Sequence, residues 1–318
     1  MNLFDENSFP PPDQVPSSEP SADPGPGEAQ PPLTHSQLPP QDNPISLAAT
    51  GPGIAPSYDA SLPEDLRISW SWLHFVVFLS FVVVTFFVVQ VSFLVYYAAP
   101  LSHLSTKKDF EQFALSKPIF AVGSMVLLYA LAMVFLYVSL SVFPDSPFWR
   151  TLGWRQISRP GGGRPRSPWL FFFAGCALSL AVLIVTYKMQ PPEDVPIEEL
   201  FRYKNTAILF MAMAVLVAPL VEETVFRGYL YPLFARTFGV ASSVILTGIL
   251  FGLMHGAQLG WTWGLVLVLV AVGVIFTLVR ARTGSVYASF LLHLGYNSMI
   301  AALTILGPGG IEKTTPPH

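Results

Sequence analysis

Charge and cysteine are what this sequence has least of. Asp, Glu, Lys and Arg make up 12% of its 318 residues, against 52% hydrophobic and 14% aromatic residues; soluble domains carry about 25% charge. So little charge cannot clothe a water-facing surface, which excludes an ordinary soluble enzyme. A formal net charge of −3 gives no basic excess for nucleic acid, and that partner is excluded too. The single cysteine, Cys176, excludes an intramolecular disulfide and a cysteine metal cluster. It lies inside an apolar run, where a buried thiol is the expected role. The first 66 residues lack Lys and Arg altogether while holding fifteen of the thirty prolines and ten of the twenty acidic residues. That composition cannot build a core, so a disordered, solvated tail is expected, with recruitment of a partner through its Pro-rich stretches as the alternative. It also lacks the basic start and apolar core of a signal peptide.

What the chain does have is long apolar runs. Seven reach or approach the roughly 20 residues that span a bilayer as helix: about 70–97, 118–142, 168–187, 206–234, 240–257, 261–280 and 285–306. The expected fold is therefore an all-α polytopic membrane protein, with about seven transmembrane helices following the disordered tail. Residues 67–310 would form the bundle and 311–318 a short C-terminal tail. Trp70, Trp72, Tyr96 and Tyr97 suit interfacial anchors at the two ends of the first span. Arg150, Arg155, Arg159, Arg164 and Arg166 share one connection, and Arg236, Arg280 and Arg282 mark two others. All three fall on one side if the spans alternate, and the positive-inside rule makes that side cytoplasmic, together with the N-terminal tail. Lys107, Lys108, Lys117, Lys188, Arg202 and Lys204 lie on the other side.

Within the spans a few polar residues stand out. Glu222, Glu223 and Arg227 are the charges of an otherwise apolar stretch, and each costs about 2.5 to 3.5 kcal/mol to place in hydrocarbon. Glu223 and Arg227 are four apart and share a helical face, so they form a pair. Glu222 points roughly 100° away, which leaves it for a cavity. Pro219 lacks an N–H and should kink the helix, freeing a carbonyl beside the acids. A lone Glu–Arg pair is more often structural; the second glutamate needs a further reason. Likewise a lone membrane histidine is usually a hydrogen-bonded structural group, but His255 is joined by His293, which shares a face with Asn297. If the fourth and fifth spans form a hairpin near Phe238 and Gly239, Glu222 and His255 lie equally far from the turn. Glu, His, His and Asn meeting in a dry chamber supply a general base, a polariser or metal ligand, and donors for an oxyanion.

Glu222-Glu223-Thr224-Val225-Phe226-Arg227-Gly228, then Phe251 to His255, then His293 to Asn297, resemble the three ordered motifs of the CPBP, or Abi, family of CAAX-prenyl-protease and bacteriocin-processing intramembrane endopeptidases. The resemblance covers about residues 200–300. It implies that Glu222 and His255 activate the attacking water, that His293 and Asn297 support the oxyanion, and that Glu223 and Arg227 are the supporting pair. It implies as substrate a membrane protein or lipidated peptide, reached from the cytoplasmic side. No cofactor is expected; zinc on Glu222, His255 and His293 is the alternative, although the zincin pattern His-Glu-x-x-His is absent. Gly-x-Ser-Gly and Gly-x-Gly-Asp, the marks of rhomboid-like and presenilin-like enzymes, are also absent. A catalytically idle scaffold or immunity-type partner, and a transporter using these groups as a proton relay, are the other readings.

Overall fold

The computed structural model describes residues 66–96, 117–141, 147–157, 167–189 and 196–307. The acidic tail before residue 66, residues 311–318, Tyr97, Lys107, Lys108, Arg159, Arg164 and Arg166 lie outside these residues, as do the expectations placed on them. Among the described residues there are helices and no strands: α1 Trp72–Tyr96, α2 Ser124–Ser141, α3 Pro168–Met189, α4 Lys204–Phe238, α5 Val240–Met254, α6 Trp263–Thr283 and α7 Val286–Leu306. Six are long and apolar enough to cross a membrane, and α5 is a shorter apolar helix of 15 residues. The protein is thus an all-α polytopic membrane protein. The fifth span ends earlier than residue 257, and the fourth grows to 35 residues, about 52 Å at the helical rise.

Helices are what such a sequence must form in hydrocarbon, because every backbone polar group has to be satisfied within its own segment. Side-chain hydroxyls obey the same demand: Ser92 donates to Val88 O, Ser139 to Phe135 O and Thr186 to Val182 O. Large apolar side chains face outward, among them Leu73, Phe87 and Val95 at 72%, 62% and 66% exposure. In water that surface would drive aggregation; against lipid chains it meets a matching solvent.

With lipid outside, helices associate by close packing rather than by hydrophobic burial. The clearest case is the crossing of α3 and α7, where Gly175 and Gly295 face each other's helix. A Cβ at Gly175 would run into the Leu292 carbonyl, and one at Gly295 into the Phe172 carbonyl. Cys176 lies at this crossing and donates weakly to Gly295 O at 3.4 Å. The inner core gathers Phe226, Tyr229, Phe251, Phe276, Leu292 and Tyr296 from α4 to α7.

Polar contacts bring four separate segments to one end of the bundle. Arg236 Nη1 donates to Ile68 O at 3.1 Å and Trp72 Nε1 to Thr237 Oγ1 at 3.0 Å. The Val286 N–H donates to Gly153 O at 2.9 Å, and Ser285 Oγ to Arg155 O. Gly239, with φ 79°, turns α4 into α5 at this end. The described arginine-bearing connections therefore do lie together, as alternation of the spans requires. Arg280 is completely buried, its guanidinium carbon 5.5 Å from the Tyr231 ring centroid. One expectation about this end is corrected. Trp70 is 3% exposed, stacked on Tyr229, and donates Nε1 to Tyr229 O; it is a core residue, not an anchor.

Candidate active site

The site is built on α4, and the shape of α4 starts from Pro219. A proline inside a helix has no N–H for the preceding turn. The helix meets this by widening: Met213–Val217 form an i→i+5 turn in which the Ala218 N–H donates to Met213 O. The next bond of that series would run from residue 219 to the Ala214 carbonyl. Asn297 of α7 supplies the missing donor, its side-chain Nδ2 lying 2.7 Å from Ala214 O. The freed carbonyl expected beside the acids exists, and it aims Asn297. A second wide turn, Thr224–Leu230, follows directly on Ala218–Glu223. The acid pair therefore stands at the end of one regular segment between two wide turns, a distortion that recurs at functional sites.

Glu223 and Arg227 make the pair their spacing suggests. Arg227 Nη1 donates to Glu223 Oε1 at 2.9 Å, with both side chains wholly buried. The guanidinium is further held by α6, donating through Nη2 to Gly273 O at 2.9 Å and through Nε to Thr277 Oγ1 at 3.2 Å. Its carbon lies 4.5 Å from the Phe251 ring centroid, within range of a cation–π contact. A charge buried this deeply is tolerable because each of its three nitrogens is hydrogen-bonded and its partner is close.

His293 joins this array. Its Nδ1 is 3.0 Å from Glu223 Oε1, and because a carboxylate only accepts, the Nδ1 carries the hydrogen. The other ring nitrogen, Nε2, faces Glu222 at 4.0 Å from Oε2. That gap is too long for a direct hydrogen bond and suits a bridging water. Glu222 keeps 12% side-chain exposure where Glu223 has none, and its Oε1 accepts the Tyr129 hydroxyl hydrogen at 2.7 Å. His255 caps the C-terminus of α5, where its Nδ1 donates to Phe251 O at 2.8 Å. The same tautomer argument leaves His255 Nε2 as the polar atom not committed to that bond.

Glu222, His255, His293 and Asn297 all line one cavity of about 360 Å³ between α2, α4, α5, α6 and α7. Glu223 and Arg227 lie behind its wall. The separation of the two glutamates follows from the rotation between neighbouring helical positions. Among the described residues no three His, Cys, Asp or Glu side chains are grouped closely enough to hold a metal ion.

The cavity extends from Glu222 toward Ile197, Phe201, Gln258 and Leu259, at the end where the Ile197 N–H donates to Gln258 O. No residue of the turns at Gly239 and Gly284 lines it. The arginine end is instead packed shut by residues 147–157: Leu152 is fully buried against Gly228, and Trp154 Nε1 donates to Thr224 Oγ1 at 3.2 Å. Sequence reasoning missed Tyr129. The available signal was a tyrosine in mid-span, away from the interfaces that tyrosines in membrane helices favour.

A polytopic helical bundle with a buried carboxylate–guanidinium–imidazole array, beside a second carboxylate open to a cavity, defines an intramembrane acid–base site. Residues 204–299 match the family model described as type II CAAX prenyl endopeptidase Rce1-like, in agreement with the resemblance carried by the three motifs. The matched segment runs from the start of α4 into α7 and contains all six candidate residues. No curated protein and no solved structure matches the chain.

Proposed function

We propose that the protein is an intramembrane endopeptidase that cleaves a peptide bond in a membrane-associated or lipidated protein, using Glu222 as general base and no metal. The observation that carries this reading is the division of labour between adjacent glutamates: Glu223 is wholly buried on Arg227, whereas Glu222 faces the cavity 4.0 Å from His293 Nε2. A water held between Glu222 and His293, with His255 on the same cavity wall, loses a proton to Glu222 as its oxygen bonds the substrate carbonyl carbon. The carbonyl electron pair moves to oxygen. Asn297 supports that oxyanion through the amide hydrogen not used on Ala214, while His293, with its ring hydrogen on Nδ1 toward Glu223, holds the water through Nε2. Collapse re-forms the C=O bond and breaks C–N, and the proton held by Glu222 passes to the leaving nitrogen.

Purified protein incubated with a panel of membrane-spanning and lipidated peptides, beside Glu222→Gln, tests this. Cleavage by the wild type and none by Glu222→Gln, with equal yield and unfolding temperature, is the expected result. Undiminished proteolysis by the variant would sink the base assignment. An inert wild type across the panel favours the scaffold reading.

A further inference from the structure

The family match begins at Lys204, yet the cavity is also walled by a helix outside it. Met125 and Tyr129 of α2 are one turn apart and both line the chamber. Tyr129 interrupts an otherwise apolar stretch, Met125-Val126-Leu127-Leu128-Tyr129-Ala130-Leu131, and its hydroxyl donates to Glu222 Oε1 at 2.7 Å. We propose that Tyr129 is the positioning residue of the general base: it clamps one carboxylate oxygen of Glu222 so that the other faces the water site beside His293.

The reasoning rests on the assignment of Glu222 as base and deepens it. A carboxylate on a flexible side chain has rotamers that turn it away from the cavity, and Arg227, five residues on and above Phe251, is a strong competing attraction. A cation placed on Glu222 would hold it too, but would also pair with its charge. A phenol is a neutral donor with a rigid ring and few rotatable bonds, so it fixes the oxygen at little entropic cost and leaves the negative charge in place. The two oxygens of Glu222 are thereby distinguished, Oε1 on Tyr129 and Oε2 toward His293 Nε2. Catalytic groups need such a supporting contact to be held in productive geometry. By this account α2 is part of the machinery although it lies outside the matched segment.

Tyr129→Phe tests the proposal, since it removes the hydroxyl and keeps the ring. On a peptide cleaved in the panel above, kcat should fall about 10- to 100-fold, as for one hydrogen bond to a charged group. KM should stay within about twofold and the unfolding temperature should be unchanged. A kcat near the wild-type value overturns the proposal. So does a raised KM at constant kcat, which would make Tyr129 a substrate contact, or a loss of rate matched by a loss of stability. Silence of Tyr129→Phe while Glu222→Gln is inactive would sink this proposal alone; activity in Glu222→Gln would sink the base reading itself. An arm independent of turnover uses infrared difference spectra with ring-labelled tyrosine. Glu222→Ala should shift one tyrosine C–O band that is missing from Tyr129→Phe, and absence of that shift counts against the contact.

Discussion

At the scale of single residues, Arg227 carries more than the ion pair its spacing announces. Its three nitrogens reach Glu223, Gly273 and Thr277, and its face lies on Phe251. Arg227→Ala would strand the Glu223 carboxylate and open a void between α4 and α6. Breaking a buried pair in this way costs about 3 to 5 kcal/mol, so thermal unfolding in detergent should begin well below the wild-type temperature, with activity lost as well. An unchanged midpoint would show that the pair is not structural. The Glu223–Arg227 contact was legible in the sequence because it is local, four residues along one helix. Gly273 and Thr277 were not, because they come from another helix and nothing in their neighbourhood marks them as partners. His293 was placed at the chamber by its type and its spacing to Asn297, but its bond to Glu223 depends on how α7 crosses α4.

At the scale of elements, the informative departures are all in helices that stop being regular. Pro219 announced a local break, and the freed Ala214 carbonyl is its physical consequence. The two wide turns were illegible, since a pattern read at 3.6 residues per turn has no place for an inserted residue. The seven apolar helices were legible from length and apolarity alone, although α5, at 15 residues, is shorter than the other six, whereas the crossing of α3 over α7 was not legible. Gly175 and Gly295 are far apart in the chain, and each reads as one more small residue until the helices are brought together. Gly295→Ala tests that crossing. The added methyl meets the backbone of α3 at Phe172, which cannot swing aside as a side chain would. Overpacking costs about 1 to 3 kcal/mol in ordinary cores, and the upper part of that range or more is expected here. The measurement is the unfolding temperature, and retention of wild-type stability would mean the helices are able to separate without loss.

At the scale of the whole molecule, the membrane side of the cavity is what labelling decides. The positive-inside rule makes the arginine-bearing connections cytoplasmic, and the family resemblance implies a substrate reached from the cytoplasm. The cavity extends toward the other end, past Gln258 and Leu259, while residues 147–157 close the arginine end. With entry at the Gln258 end, either the buried Arg280 and the carbonyl-bound Arg236 are poor topological markers, or the substrate approaches from the far side. Labelling single cysteines in a Cys176→Ala background separates the two. Val240→Cys reports the arginine end, at a position 46% exposed that avoids the φ of 79° at Gly239. Gln258→Cys reports the cavity end. A bulky maleimide on Gln258→Cys should slow cleavage and the same group on Val240→Cys should not. A membrane-impermeant reagent should reach the two from opposite faces of sealed, oriented vesicles. Labelling of both from one face would contradict the placement of these ends across the membrane. Reaction of Gln258→Cys from the cytoplasmic face keeps cytoplasmic access and overturns the arginine-based orientation. Reaction from the opposite face keeps the orientation and moves the substrate to the other side of the membrane.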